Sequence, residues 1–139
     1  MATARRCVLR GERPSLAALA DWCAATADAF ALDPAGALAL DLCLTELVTN
    51  IIDYAYPAAA PAPIVIDAES EGGRLLVTLW DAGPAFDPLT VPPPQPAHEL
   101  SEVGIGGLGI DLVRQFSSEL AHTRVDDWNR LQFSPTGRR

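Results

Sequence analysis

The chain has 139 residues, 18 acids against 10 bases and a formal net charge of −8. Phosphate neutralisation needs a basic face, so this balance argues against a nucleic-acid binder, and equally against electrostatic membrane anchoring. Hydrophobic residues make up 49% and charged residues 20%, a composition that builds a core rather than a disordered tail. One domain of this length buries roughly two-thirds of the surface its unfolded chain exposes.

Every base is arginine. Without lysine there is no P-loop lysine, no protein-kinase β3 lysine and no Schiff-base chemistry. Cys7, Cys23 and Cys43 are widely spaced and odd in number, and only His98 and His122 accompany them. That set suits reduced thiols in a cytoplasmic protein and argues against a disulfide scaffold or a structural zinc site. No apolar run reaches the ~18 residues of a membrane span, and the first ten residues lack the apolar stretch of a secretory signal.

In chain order, Arg5–Arg10 reads as a first strand. Pro14 then opens an amphipathic helix over Ser15–Leu32, with Leu16, Leu19, Trp22, Cys23, Ala27 and Phe30 on its apolar face. Asp33-Pro34 reads as an N-cap with proline at the first helical position, and the second helix runs to about Tyr56, where Pro57 stops it. An Ala/Pro linker leads to strands Ile64–Ser70 and Arg74–Trp80, joined by a hairpin turn at Glu71-Gly72-Gly73. The stretch 81–103 lacks periodicity and carries six prolines, Pro84, Pro88, Pro92, Pro93, Pro94 and Pro96. So long an irregular segment in a compact domain reads as a lid or a disordered stretch. A glycine-rich run, Gly104–Gly109, opens a third helix to about Phe116, and strands over Leu120–Val125 and Arg130–Phe133 follow. Strands grouped in hairpins predict an α/β two-layer sandwich, with a mixed, mostly antiparallel sheet covered by helices on one face.

Three motifs stand out. Glu46 and Asn50 are spaced i, i+4 and share one side of the second helix. They lie either on its exposed stripe or on a buried side, where a carboxylate is costly without a partner. Asp81-Ala82-Gly83 ends a hydrophobic strand: either a plain strand terminus, or an acceptor for an amino group beside a glycine that lets backbone approach a ligand. Gly104, Gly106 and Gly109 spell G-x-G-x-x-G. A proline-rich loop precedes it and too little chain follows for a dinucleotide-binding fold, so the Rossmann reading is rejected. What survives is a hinge, or a helix N-terminus presenting backbone amides to an anion.

The order of these motifs, E-x-x-x-N on a helix, D-x-G at a strand end and G-x-G-G-x-G opening a helix, resembles the GHKL superfamily with its Bergerat ATP-binding fold. TELVTNIIDYAYP, DAGPAFDP and GIGGLGIDLVRQF resemble the anti-sigma factor serine/threonine kinases of bacteria, over nearly the whole chain. The resemblance implies Glu46 as general base, Asn50 as the Mg²⁺ ligand, Asp81 and Gly83 at the adenine, and Gly104, Gly106, Gly107, Leu108 and Gly109 around the phosphates of ATP, with 87–103 as lid. It implies a kinase that phosphorylates an anti-sigma-antagonist protein and sequesters a sigma factor, and relatives that pair as homodimers. The alternatives are an ATP-binding interaction module without turnover, and a detached signalling-kinase ATPase domain acting in trans. Four positions depart from the family pattern: Asp53 where a base is common, Tyr54 where His is common, Ala85 for a second glycine, and Arg130 near an adenine-side Thr.

Overall fold

A computed structural model describes residues 3–56, 60–90 and 107–136. In chain order it contains β1 (Ala4–Arg10), α1 (Ser15–Ala29), α2 (Pro34–Asn50), a π-helical turn (Ile51–Ala55), β2 (Pro63–Glu71) and β3 (Arg74–Asp81). A 3₁₀ turn (Pro88–Thr90), α3 (Gly107–Gln115), β4 (Ser117–Val125) and β5 (Trp128–Pro135) complete it. The architecture is the expected helix-on-sheet sandwich.

The sheet order is β1-β2-β3-β5-β4, and all four pairings are antiparallel. The expected mixed sheet is corrected on this point. β3 and β4 do run parallel, but β5 lies between them and pairs antiparallel with both. Gly72 and Gly73, at φ +59° and +81°, make the tight turn of the β2–β3 hairpin.

α1 ends three residues earlier than its apolar pattern predicts. Ala31 takes a left-handed conformation at φ 54°, and Leu32 N donates back to Ala27 O at 2.9 Å, closing the helix with a motif usually built on glycine. α2 starts where the sequence places it: the Asp33 carboxylate accepts from Gly36 N at 2.7 Å, with proline in the first turn. The helix does not continue as α to Tyr56. It widens over Ile51–Ala55, and Tyr56 N donates to Ile51 O at 3.1 Å. Such widened turns are frequent at functional sites.

Strand alternation explains the core. Ile64, Ile66 and Ala68 of β2, Val77 and Leu79 of β3, and Leu131 and Phe133 of β5 point to the helices. They meet Leu40, Cys43, Leu44, Leu47 and Val48 of α2, with Leu19 and Cys23 of α1 and Val113 of α3 behind. Pro34–Ala55 is long and apolar enough on average to cross a membrane by length and composition alone, although Asp41, Glu46 and Asp53 interrupt any continuous apolar run. Here its apolar residues fill the core. On the opposite sheet face, Arg6 pairs with Asp67 at 2.6 Å and the Arg130 guanidinium lies 5.6 Å from the Trp80 ring centre.

Candidate nucleotide site

The site lies where the C-terminal end of β3 meets the widened end of α2. A cavity of about 450 Å³ opens there, between Leu47, Asn50, Ile51 and Tyr54 on one side and Asp81, Pro84, Phe86, His122 and Asn129 on the other. Its lining is largely apolar, with a few convergent polar groups, the composition of a small-molecule pocket.

Asp81 is buried because period-two alternation along β3 turns it to the helix side, after Val77 and Leu79. A buried carboxylate is tolerated only if hydrogen-bonded. Its Oδ1 accepts from Gly83 N at 2.9 Å and from Asn129 Nδ2 at 3.0 Å. Among the described residues nothing occupies Oδ2, which leaves one acceptor for a ligand. Gly83 is fixed by proximity: a β-carbon there would stand 2.8 Å from Ala55 Cβ and 3.0 Å from Asp81 Oδ1.

Asn129 sits directly across from Asp81 in the β3–β5 register. Its Nδ2 also donates to Pro84 O at 2.9 Å, and its Oδ1 accepts from Phe86 N at 3.2 Å and lies 3.1 Å from His122 Nε2. Arg124 donates to Gly83 O at 2.8 Å. The Tyr56 hydroxyl accepts from Ala82 N at 2.6 Å and donates to Pro63 O at 2.9 Å. Burial raises the Tyr56 pKa, so the hydroxyl keeps its proton and its donor role. Three polar chains thus fasten the turn after β3.

The other end of the site is sparse. Asn50 lines the cavity; Glu46, one turn earlier, is half-buried and leans on α3. A β-carbon on Gly109 would lie 2.7 Å from Glu46 Oε2. The first and third motifs, far apart in sequence, therefore touch. Neither Glu46 nor Asn50 has a side-chain hydrogen bond among the described residues. Gly107 and Leu108 form the first turn of α3. Gly104, Gly106 and most of the 87–103 segment fall outside the described residues.

Two of the four departures resolve in space. Both Asp53 oxygens accept from Arg13 Nη2 at 2.8 Å, so this acid is drawn toward the start of α1 rather than presented alone to an anion. Arg130, expected near the adenine, is instead on the far face against Trp80. Strand alternation assigns the site position to Asn129, its neighbour. Sequence reading missed Asn129, His122 and Arg124. The signal was there for the first: Asn129, Leu131 and Phe133 alternate onto the core face, and the strand begins earlier than its apolar residues suggest.

The site thus combines a carboxylate with a free acceptor in an apolar slot, an amide and a carboxylate one turn apart, and a helix start beside them. Residues 10–134 match the family described as the histidine kinase-like ATPase domain. The chain belongs to that family, an ATP-using class of the GHKL type. It is also 33% identical over 92 residues to the serine/threonine-protein kinase BtrW of Bordetella bronchiseptica. That match covers 66% of this chain and 65% of the length of the relative.

Proposed function

We propose that the chain is an ATP-dependent protein serine/threonine kinase. One observation carries the reading: a buried carboxylate with an unoccupied oxygen, Asp81, shares a cavity with Asn50, and the free carboxylate of Glu46 stands one helical turn away against α3. The similarity to BtrW supports the kinase over other ATP-using activities.

In this reading Asp81 Oδ2 accepts from the exocyclic amine of adenine, and Gly83 leaves room for the ring. The apolar walls supplied by Leu47, Ile51 and Leu79 shield it from water. Gly107, Leu108 and Gly109 place the α3 N-terminus toward the phosphates, with Gly104 and Gly106 assigned there from sequence. Asn50 would suit a hard cation such as Mg²⁺, since its amide carbonyl offers an oxygen donor. When bound, Mg²⁺ would offset phosphate charge. Glu46 takes the proton from the attacking serine or threonine hydroxyl; the new O–P bond forms as the bond to ADP breaks. A base would be superfluous in a domain that only binds.

The acceptor we propose is a small anti-sigma-antagonist protein, with a sigma factor as the sequestered partner, the chain acting as a homodimer in the cytoplasm. A second reading, a nucleotide-binding interaction module, is favoured by one feature. The turn after Asn50 offers no cation to a phosphate, because its charged residue is Asp53, already paired with Arg13.

The test is single-turnover transfer of labelled γ-phosphate to an antagonist-domain protein, with and without Mg²⁺. Mg²⁺-dependent labelling on serine or threonine, abolished in Asn50→Ala, is the expected result. ATP binding without transfer to any such protein selects the interaction module. Failure to bind ATP at millimolar concentration ends the nucleotide reading.

A further inference from the structure

His122 is a pocket residue to which the proposed reaction gives no role. Its ring sits between two hydrogen-bonding systems. On one side Nε2 is 3.1 Å from Asn129 Oδ1; on the other Nδ1 is 3.9 Å from Asp87 Oδ2, with the His122 side chain 11% exposed and that of Asp87 37%.

The direction of the first contact is fixed from the far end. Asp81 Oδ1 and Pro84 O are acceptors only, so the Asn129 group facing both must be its NH₂. Its other atom is the carbonyl, a role that Phe86 N–H independently requires. Nε2 of His122 therefore carries a hydrogen. The remaining nitrogen, Nδ1, faces the Asp87 carboxylate.

Asp87 is a structural node. Its Oδ1 accepts from Leu89 N at 2.8 Å, and its backbone carbonyl accepts from Thr90 N and Oγ1. Asn129 holds Pro84 and Phe86. His122 thus touches both clamps on residues 84–88, which form one wall of the cavity. The other charged or titratable groups around the ring are few. Asp81 of β3 lies behind Asn129. Arg124, on the same face of β4, is engaged with Gly83 O. Tyr54 lines the cavity on the α2 side. α3, packed on β4, brings Asp111, bonded to Gln115, and Arg114, bonded to Leu89 O.

We infer that His122 is a positioning residue of the nucleotide pocket, holding the 84–88 wall through its N–H on Asn129 Oδ1 and its place beside Asp87. The inference rests on the nucleotide reading only for what the pocket holds.

The primary test is ligand-free: native-state hydrogen exchange at the Phe86 amide of the full chain, at one fixed pH. His122→Ala removes the ring from both neighbours, whereas His122→Gln retains an N–H for Asn129. Protection at Phe86 should fall about two- to fivefold in His122→Ala, the scale of one neutral hydrogen bond, and return in His122→Gln. Wild-type protection in His122→Ala, or an equal loss in both variants, overturns the inference. A second arm follows dissociation of a fluorescent adenine nucleotide. His122→Ala should release it about two- to fivefold faster than the wild type, and His122→Gln at the wild-type rate; equal rates in all three overturn the inference. If no adenine nucleotide binds while the exchange effect appears, the functional reading fails and the role of His122 stands.

Discussion

The two ends of the cavity are built on opposite plans. At the Asp81 end, Asp81, Ala82, Gly83, Asn129, Phe86 and Tyr56 are held by hydrogen bonds of 2.6–3.2 Å, leaving one carboxylate oxygen open. At the Asn50 end, Glu46 and Asn50 stand on a core helix without side-chain partners among the described residues. Recognition of a flat base profits from a preset acceptor, because nothing has to reorganise on binding. Proton transfer and cation binding ask instead for groups not already committed. On the proposed function, the Asp81 end should therefore behave as part of the fold, and the Asn50 end as apparatus resting on it.

The strongest way to break this comparison is Glu46→Ala. Loss of a general base typically costs about 10²–10⁴-fold in rate, while ATP affinity should hold or improve as a negative charge leaves the phosphates. Titration calorimetry beside single-turnover transfer measures both; wild-type transfer in the variant removes Glu46 from the chemistry. Next comes Asp81→Asn. Replacing a charged acceptor by a group that also donates should weaken adenine nucleotides about 10- to 100-fold, as for a charge-assisted hydrogen bond. Equal weakening of ATP and GTP would refute the adenine contact.

Stability separates the ends further. Asn129→Ala strips one of the two hydrogen-bond partners from buried Asp81 and should cost about 1–3 kcal/mol in urea unfolding. Asn50→Ala, which breaks no internal bond, should stay within about 0.5 kcal/mol. Comparable losses would show that the two ends are not different in kind. Burial pushes Cys23 and Cys43 up to about 12 from an ordinary 9.0. Their raised pKa stabilises the native state fully below pH 9.0, and that contribution is lost as pH climbs toward about 12. Alkylation with mass mapping should label half-buried Cys7 first and the other two only on unfolding. The smallest expected change is Ala31→Gly, which relieves a left-handed alanine and should stabilise by about 1 kcal/mol. It should leave both ends untouched, as shown by unchanged ATP affinity.

Most of the fold was legible because helix and strand periods differ and the breakers are explicit. Asp33-Pro34 marks a helix start, and Gly72-Gly73 marks a hairpin. Three features were not. Ala31 ends α1 in a conformation its residue type disfavours, so no local signal announces it. The widened turn at Ile51–Ala55 is set by what it packs on, with Ala55 close against Gly83. β5 inserts between β3 and β4, a topological fact invisible to local pattern. The site divides the same way. Glu46 and Asn50 were readable from one helix, and Asp81 from one strand end. Asn129 and His122 join the site only through cross-strand register, and Arg130 was misplaced for want of that register.

The alternation that sends Asp81 into the cavity sends its neighbour Trp80 to the opposite side of the sheet, under Arg130. The indole is therefore one residue from the Asp81 carboxylate, yet a ligand in the cavity is screened from it by the sheet itself. Filling the cavity alters emission from Trp80 only by shifting β3 against β5 or by moving the guanidinium over the ring. The chain thus carries an intrinsic fluorophore that reports backbone movement at the site and is blind to direct quenching by the ligand.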